Sequence, residues 1–167
     1  MKIEGKVFKY GDNIDTDQIY PGRYLELTEP EAIAEHALEG IDPEFSEKVE
    51  PGDIIVGGKN FGCGSSREHA VICLKEKEIG AVIAESFARI FFRNSINTGL
   101  PIVECPEAAK DAETGDEFEV NVEEGTVRNL SRDKTYTFPP FPEEIGKIID
   151  AGGLINYASR HLKSVST

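Results

Sequence analysis

The sequence of 167 residues is long enough to bury one hydrophobic core, and 39% of its residues are hydrophobic, as in ordinary globular domains. Its formal net charge of −13 argues against binding to nucleic acid or to an anionic membrane surface. No apolar run approaches the roughly 18 residues of a membrane span, and the first residues lack the apolar stretch of a signal peptide. We therefore expect a cytoplasmic protein with a single domain over residues 1–167.

The first two thirds of the chain predict strands that alternate with helices. Apolar runs bounded by turn residues indicate buried strands, and helices are expected to follow capping Ser or Thr residues. The predicted strands are residues 2–10, 54–56, 81–84 and 101–103, and the predicted helices follow Thr28, Ser65 and Ser86. In the third helix, Phe87, Ile90 and Phe91 are expected to face the core. This order favours a parallel, three-layer α/β unit.

After Cys105 the pattern changes to short strands with turns between them, and then to two helices. The predicted strands are residues 116–122, 126–130 and 134–138, and the predicted helices are 143–150 and 154–163. No linker-like stretch separates this part from the α/β unit. We therefore expect the strands to form a β-rich appendage within the same domain.

An acidic stretch from Glu26 to Asp53 holds ten acids and a single base. It is expected to be solvated surface, with a docking face for a basic partner as the alternative. The three histidines, His36, His69 and His161, are expected to have packing or surface roles.

The three cysteines, Cys63, Cys73 and Cys105, include no CxxC pair. A self-contained zinc or iron–sulfur site usually shows closely spaced ligand pairs, so no metal site is predicted in this chain. The cysteines are expected to be reduced thiols.

The most informative segment is the glycine-rich loop of residues 57–64 and the helix start behind it. Four glycines allow the backbone to approach a ligand closely. Ser65 and Glu68 have the spacing of a capping box, so Ser65 is expected to be the N-cap of a helix whose free N–H groups attract anions. Arg67 adds a planar fork that can hold a carboxylate through two hydrogen bonds. The loop has neither the Walker pattern nor the dinucleotide fingerprint, and a plain turn with a capping serine remains the alternative.

Three segments together resemble the swivelling domain of the aconitase superfamily. They are Asn60–His69, Asp12–Ile19 and Ser86–Ser95. For the second segment, a plain turn rich in Asp caps is the alternative. The resemblance implies a three-layer swivelling β/β/α domain of the aconitase C-terminal type. Aconitases carry this domain fused to three others, whereas here we expect it to stand alone, as in two-subunit isopropylmalate isomerases and homoaconitases.

The resemblance also implies an activity. The chain would be the small subunit of a hydro-lyase that interconverts 2-isopropylmalate and 3-isopropylmalate by dehydration and rehydration in leucine biosynthesis. It would act only in a heterodimer or heterotetramer with a large subunit that carries a [4Fe–4S] cluster. One alternative is a related hydro-lyase acting on citramalate, dimethylmalate or homocitrate. The other is a non-catalytic module that binds an anionic metabolite.

Roles for particular residues follow from the same resemblance. Ser65 is implied to be the base that removes a proton from the 2-hydroxy dicarboxylic acid, and Asp17 to orient an acid group of the partner. Ser66 and Arg67 are implied to bind the substrate. The remaining implied contacts form a specificity loop, made of Leu25, Glu26 and Leu27. Its leucines would cover an alkyl branch, and its carboxylate would disfavour a third carboxylate on the substrate.

Overall fold

The structure is a computed structural model that describes residues 2–165, with side chains described through residue 160. Within that range it contains seven strands and eight α-helices. The strands are β1 (Lys2–Lys9), β2 (Ile54–Gly57), β3 (Ala81–Ala84), β4 (Ile102–Glu104), β5 (Glu117–Asn121), β6 (Thr126–Asn129) and β7 (Lys134–Thr137). The helices are α1 (Thr16–Ile19), α2 (Pro30–Ala34), α3 (Phe45–Lys48), α4 (Glu68–Glu76), α5 (Arg89–Thr98), α6 (Pro106–Asp111), α7 (Glu143–Asp150) and α8 (Leu154–Val165). In this range no helix has the length and apolar character needed to cross a membrane.

All seven strands belong to one mixed sheet in the order β4-β3-β2-β1-β5-β6-β7. Strand β1 joins its two halves. Val7–Lys9 pair in parallel with β2, whereas Lys2–Lys6 pair in antiparallel fashion with β5. The last three strands therefore extend the same sheet through β1, so the β-rich part expected within the same domain is the antiparallel half of this sheet. The local sequence pattern does not reveal that β1 pairs with a neighbouring strand along each of its two edges.

Two hydrophobic clusters lie on opposite faces of the parallel half of the sheet. Every residue of β2 and β3 is buried, as expected for strands covered on both faces. Ile55 and Val82 point to the cluster under the helices, whereas Ile54 and Ile83 point to the cluster that contains Phe118 of the antiparallel half. The sheet therefore curls so that its antiparallel half packs on its parallel half. This arrangement confirms the predicted three-layer β/β/α architecture.

The helix starts differ from those predicted. Helix α2 begins at Pro30 after Glu29, where the fixed φ of proline suits the first helical position, so Thr28 is not its cap. Ser86 does not cap α5 either, because residues 86–88 stay extended to pair with Phe61. The later start of α5 leaves Ile90 54% exposed, so it does not face the core as predicted.

Candidate active site

The segment Asp12–Ile19 and the glycine-rich loop lie against each other, although about fifty residues separate them in the chain. The Gly62 N–H donates to the Ile14 carbonyl oxygen at 2.7 Å, and the Thr16 N–H donates to the Cys63 carbonyl oxygen at 2.8 Å. The Thr16 hydroxyl donates to the Ser65 carbonyl oxygen at 2.8 Å. These bonds place the start of α1 directly beside the segment that leads into α4. Two of the three segments that carry the family resemblance therefore form one site.

Packing within the chain explains why two positions of the glycine-rich loop are glycines. Gly62 has a φ of +85°, and a Cβ atom there would lie 2.2 Å from the Phe91 side chain. A Cβ atom at Gly58 would lie 1.9 Å from Asp12 Oδ1. Both contacts are far inside van der Waals distance, so no larger residue fits at Gly62, and at Gly58 the Asp12 carboxylate, which accepts from the Lys59 N–H, would have to move. The need for glycine at these positions does not by itself indicate a ligand.

Ser65 does not cap α4, and the predicted capping box is wrong. The helix begins at Glu68 with Arg67 as its N-cap, and no side chain caps it. Arg67 has an extended backbone with φ −129° and ψ 114°, so the helix starts only at Glu68, three residues after Ser65. The Ser65 carbonyl is held by Thr16, which keeps this residue outside the first helical turn. Ser65 and Ser66 are instead exposed.

Arg67 and Asp17 form an ion pair where these two segments meet. Arg67 Nη1 donates to Asp17 Oδ1 at 2.8 Å and to the Tyr20 carbonyl oxygen at 3.1 Å. The Gly22 N–H donates to the same Asp17 oxygen at 2.9 Å. The hydrogen bond from Arg67, followed by the one from Gly22, holds the pKa of Asp17 below its usual value. Asp17 is therefore ionised at neutral pH, and one nitrogen of the Arg67 guanidinium is committed to it.

A cleft of about 390 Å³ connects these residues with α5, a volume in the range of small-molecule sites. Ser65, Ser66 and Arg67 form part of its wall. Sequence reasoning did not single out several other residues that line it. These are Thr16, Asn60, Arg89 and Asn94. All four lie within the three segments that resemble the family, so the resemblance could have indicated them. Only the fold shows which residues of these segments line the cleft.

The predicted specificity loop lies beside the cleft and does not line it. Leu25 is 40% exposed, Glu26 is exposed and Leu27 is half-buried. The Leu27 carbonyl oxygen lies 3.0 Å from His69 Nε2, which ties the end of the loop to α4 just after Arg67. His69 also stacks on the Tyr20 ring, with centroids 5.2 Å apart. The loop is thus adjacent to the Arg67 segment.

The cysteines lie apart from one another within the fold. Cys63 is half-buried at the edge of the cleft, whereas Cys73 and Cys105 are buried, and burial raises the pKa of both thiols. Among the side chains described, those of residues 2–160, no three of His, Cys, Asp or Glu gather in a group that could hold a metal ion. The side chain of His161 lies outside the described residues.

Known proteins share both the fold and the sequence of this chain. Residues 12–108 match the family model of the aconitase C-terminal domain. Curated relatives described as 3-isopropylmalate dehydratase small subunits include that of Ruminiclostridium cellulolyticum, which is 52% identical over 97% of this chain and 99% of its own. Another, from Aquifex aeolicus, is 54% identical over 98% of each chain.

One solved structure covers nearly the whole chain. A crystal structure of 3-isopropylmalate dehydratase (LeuD) from Methanocaldococcus jannaschii is 43% identical, with a TM-score of 0.95 over 99% of this chain and 98% of its own. Sequence and fold therefore agree over almost the full length. The chain belongs to the family of 3-isopropylmalate dehydratase small subunits, which is built on the aconitase C-terminal domain.

Proposed function

We propose that this chain is the small subunit of a two-subunit hydro-lyase that interconverts 2-isopropylmalate and 3-isopropylmalate, a reaction of leucine biosynthesis. The observation that carries the proposal is the cleft in which exposed Ser65 and Ser66 adjoin the Arg67–Asp17 ion pair. The names of relatives that match almost the whole chain support the same reaction. A large subunit and a location in the cytoplasm are part of the proposal, and the free cysteine thiols fit a reducing compartment.

In the proposed reaction, the residues of this chain handle the proton and the carboxylate. Ser65 takes the proton from the carbon beside a substrate carboxylate. A serine hydroxyl has too high a pKa to act as a base unaided, so nearby positive charge from Arg67 must stabilise its alkoxide. Arg67 also binds a substrate carboxylate with the nitrogens that Asp17 does not occupy. Ser66 completes the binding of the substrate, and Asp17 orients both Arg67 and an acid group of the partner.

The other half of the reaction is proposed to belong to the large subunit. When bound there, a [4Fe–4S] cluster would supply a Lewis acid for the departing hydroxyl group. The dispersed cysteines of this chain do not offer the closely spaced thiolates that such a cluster needs. The cleft of this chain is therefore proposed as half of a site that the partner completes.

Co-purification from the native host tests this division of labour. We expect the tagged chain to bring down one larger protein, and iron and sulfide to remain with that protein when the two are separated. The measurement is the metal and acid-labile sulfide content of each separated subunit. Arg93 is exposed and does not line the cleft, so Arg93→Ala serves as a control. Recovery of the larger protein should be unchanged when this surface charge is lost. Iron bound to this chain alone, with no larger partner, would contradict the proposal.

Glu26 is proposed to help exclude substrates with a third carboxylate. A substrate carboxylate placed near the exposed Glu26 would be repelled by its like charge. We therefore expect the assembled complex to prefer isopropylmalate over citramalate, dimethylmalate and homocitrate in kcat/KM. Burial of an isopropyl group against Leu25 and Leu27 contributes roughly 2 kcal/mol to this preference at about 25 cal/mol per Å².

The matching variant is Glu26→Arg, with Glu29→Arg as a control of equal charge change at another exposed position. We expect Glu26→Arg to gain activity towards homocitrate and Glu29→Arg to gain none. A wild-type preference for homocitrate would contradict the charge argument. Equal behaviour of the two variants would show that residue 26 does not face the substrate.

A further inference from the structure

A single carboxylate organises the middle of the loop Tyr20–Leu27. Glu39 Oε1 accepts hydrogen bonds from the Tyr24 hydroxyl at 2.8 Å and from Arg23 Nη2 at 3.0 Å. Its other oxygen, Oε2, pairs with His36 Nδ1. The Glu39 side chain is only 23% exposed, although it lies in the acidic stretch that was expected to be solvated surface. Both of its oxygens are therefore committed to holding other side chains.

Ring contacts strengthen the same cluster around Tyr24. The Tyr24 ring lies parallel to the His36 ring, with centroids 3.6 Å apart. The Arg23 guanidinium carbon lies 4.8 Å from the centre of the Tyr24 ring. The Tyr24 backbone is held as well, because the Tyr20 hydroxyl donates to its carbonyl oxygen at 2.6 Å. Tyr24 is thus fixed at its hydroxyl, at its ring face and at its backbone.

Both ends of the same loop are tied to the segment that carries the proposed chemistry. Arg67 holds the Tyr20 carbonyl at one end, and His69 lies against the Leu27 carbonyl at the other. Glu39 supports the middle, so the loop has three anchors around its exposed residue Leu25. An apolar side chain held in a fixed position beside a cleft can select alkyl groups by their size.

We propose that Glu39 is a positioning residue that sets which alkyl branch the enzyme accepts, by fixing the loop Tyr20–Leu27 beside the Ser65–Arg67 segment. The inference rests on the proposed function. Glu39 acts through Tyr24 and Arg23 and need not touch the substrate. A displacement of about 1 Å in a positioning contact can cost up to about 100-fold in rate, so a loosened loop has a measurable effect.

Hydrogen–deuterium exchange of the full chain tests the anchor without reference to activity. Loss of a hydrogen bond to a charged group weakens a local structure enough to speed its opening about tenfold. We expect amides of the loop to exchange about tenfold faster in Glu39→Ala, and Glu39→Gln, which keeps an acceptor for Tyr24, to lie in between. The matched control is Glu35→Ala, an exposed acid one turn earlier, which should leave the exchange unchanged.

Kinetics of the assembled complex test the consequence for substrates. We expect Glu39→Ala to lower kcat/KM for isopropylmalate about tenfold, mainly because KM rises. For citramalate the loss should be less than about threefold, because its shorter methyl branch makes less contact with the loop. Glu39→Gln should recover part of the loss. Equal losses for both substrates, or a Glu39→Ala variant that matches Glu35→Ala in exchange and kinetics, would overturn the inference. A wild-type complex that turns over neither isopropylmalate nor citramalate would overturn the proposed function itself, and with it the substrate part of this inference.

Discussion

Replacement of Ser65 by alanine is expected to lower kcat by a factor of about 10³ or more while KM changes little. The hydroxyl is proposed to take part only in proton removal, so its loss affects the transition state and leaves substrate binding largely intact. The measurement is steady-state turnover of isopropylmalate by the assembled complex. The change should leave the melting temperature near that of the unmodified chain, because Ser65 is exposed and does not cap α4.

An exposed serine outside the cleft lining provides the control for this experiment. Ser159 is exposed on α8, and Ser159→Ala should retain full activity. A Ser65→Ala variant with near-normal kcat would remove Ser65 from the proposed proton transfer. A large drop in melting temperature would instead indicate that the residue has a structural role that the present contacts do not show.

Replacement of Arg67 by lysine is expected to damage both binding and catalysis. The guanidinium reaches Asp17 and the Tyr20 carbonyl with a single nitrogen. Its other nitrogens are proposed to bind a substrate carboxylate. An ammonium group cannot satisfy these partners at once, so kcat/KM should fall on the order of 100-fold, with KM raised about tenfold. Kinetics with saturating and limiting isopropylmalate separate the two effects.

Arg93 supplies a control for the loss of a guanidinium, because it is exposed on α5 and does not line the cleft. Arg93→Lys should behave like the unmodified complex. If Arg67→Lys keeps a normal KM, then Arg67 serves only to hold Asp17 and Tyr20 in place. In that case the carboxylate would have to be bound by other groups.

The sequence predicted the parallel half of the sheet well because apolar runs report burial directly, whereas the β/β/α layering was implied by the family resemblance. Completely apolar runs at β2 and β3 indicated strands covered on both faces, and the structure confirms this. The family resemblance of three segments is confirmed by the relatives and by the match to the aconitase C-terminal domain. Their sequence positions did not indicate that Thr16 and Ser65 are in contact, since this depends on the path of the chain between them.

The errors arose where a distant contact overrides a local signal. Ser65 and Glu68 have the spacing of a capping box, yet Arg67 stays extended as the N-cap and its side chain contacts Asp17. Ser86 is followed by residues that pair with Phe61, which delays the start of α5. The role of Glu39 had no sequence signal, because an acid within a run of acids is ordinarily solvated. Only the fold brings Tyr24, Arg23 and His36 around it.

Turnover by separated and recombined subunits tests the central claim most directly. The interconversion of 2-isopropylmalate and 3-isopropylmalate can be followed by proton NMR with this chain alone, with the large subunit alone and with both together. We expect turnover only in the mixture, and its rate should saturate as this chain is added to a fixed amount of large subunit. Turnover by this chain alone, or by the large subunit at full rate without it, would contradict the proposal that the cleft described here is one half of a shared active site.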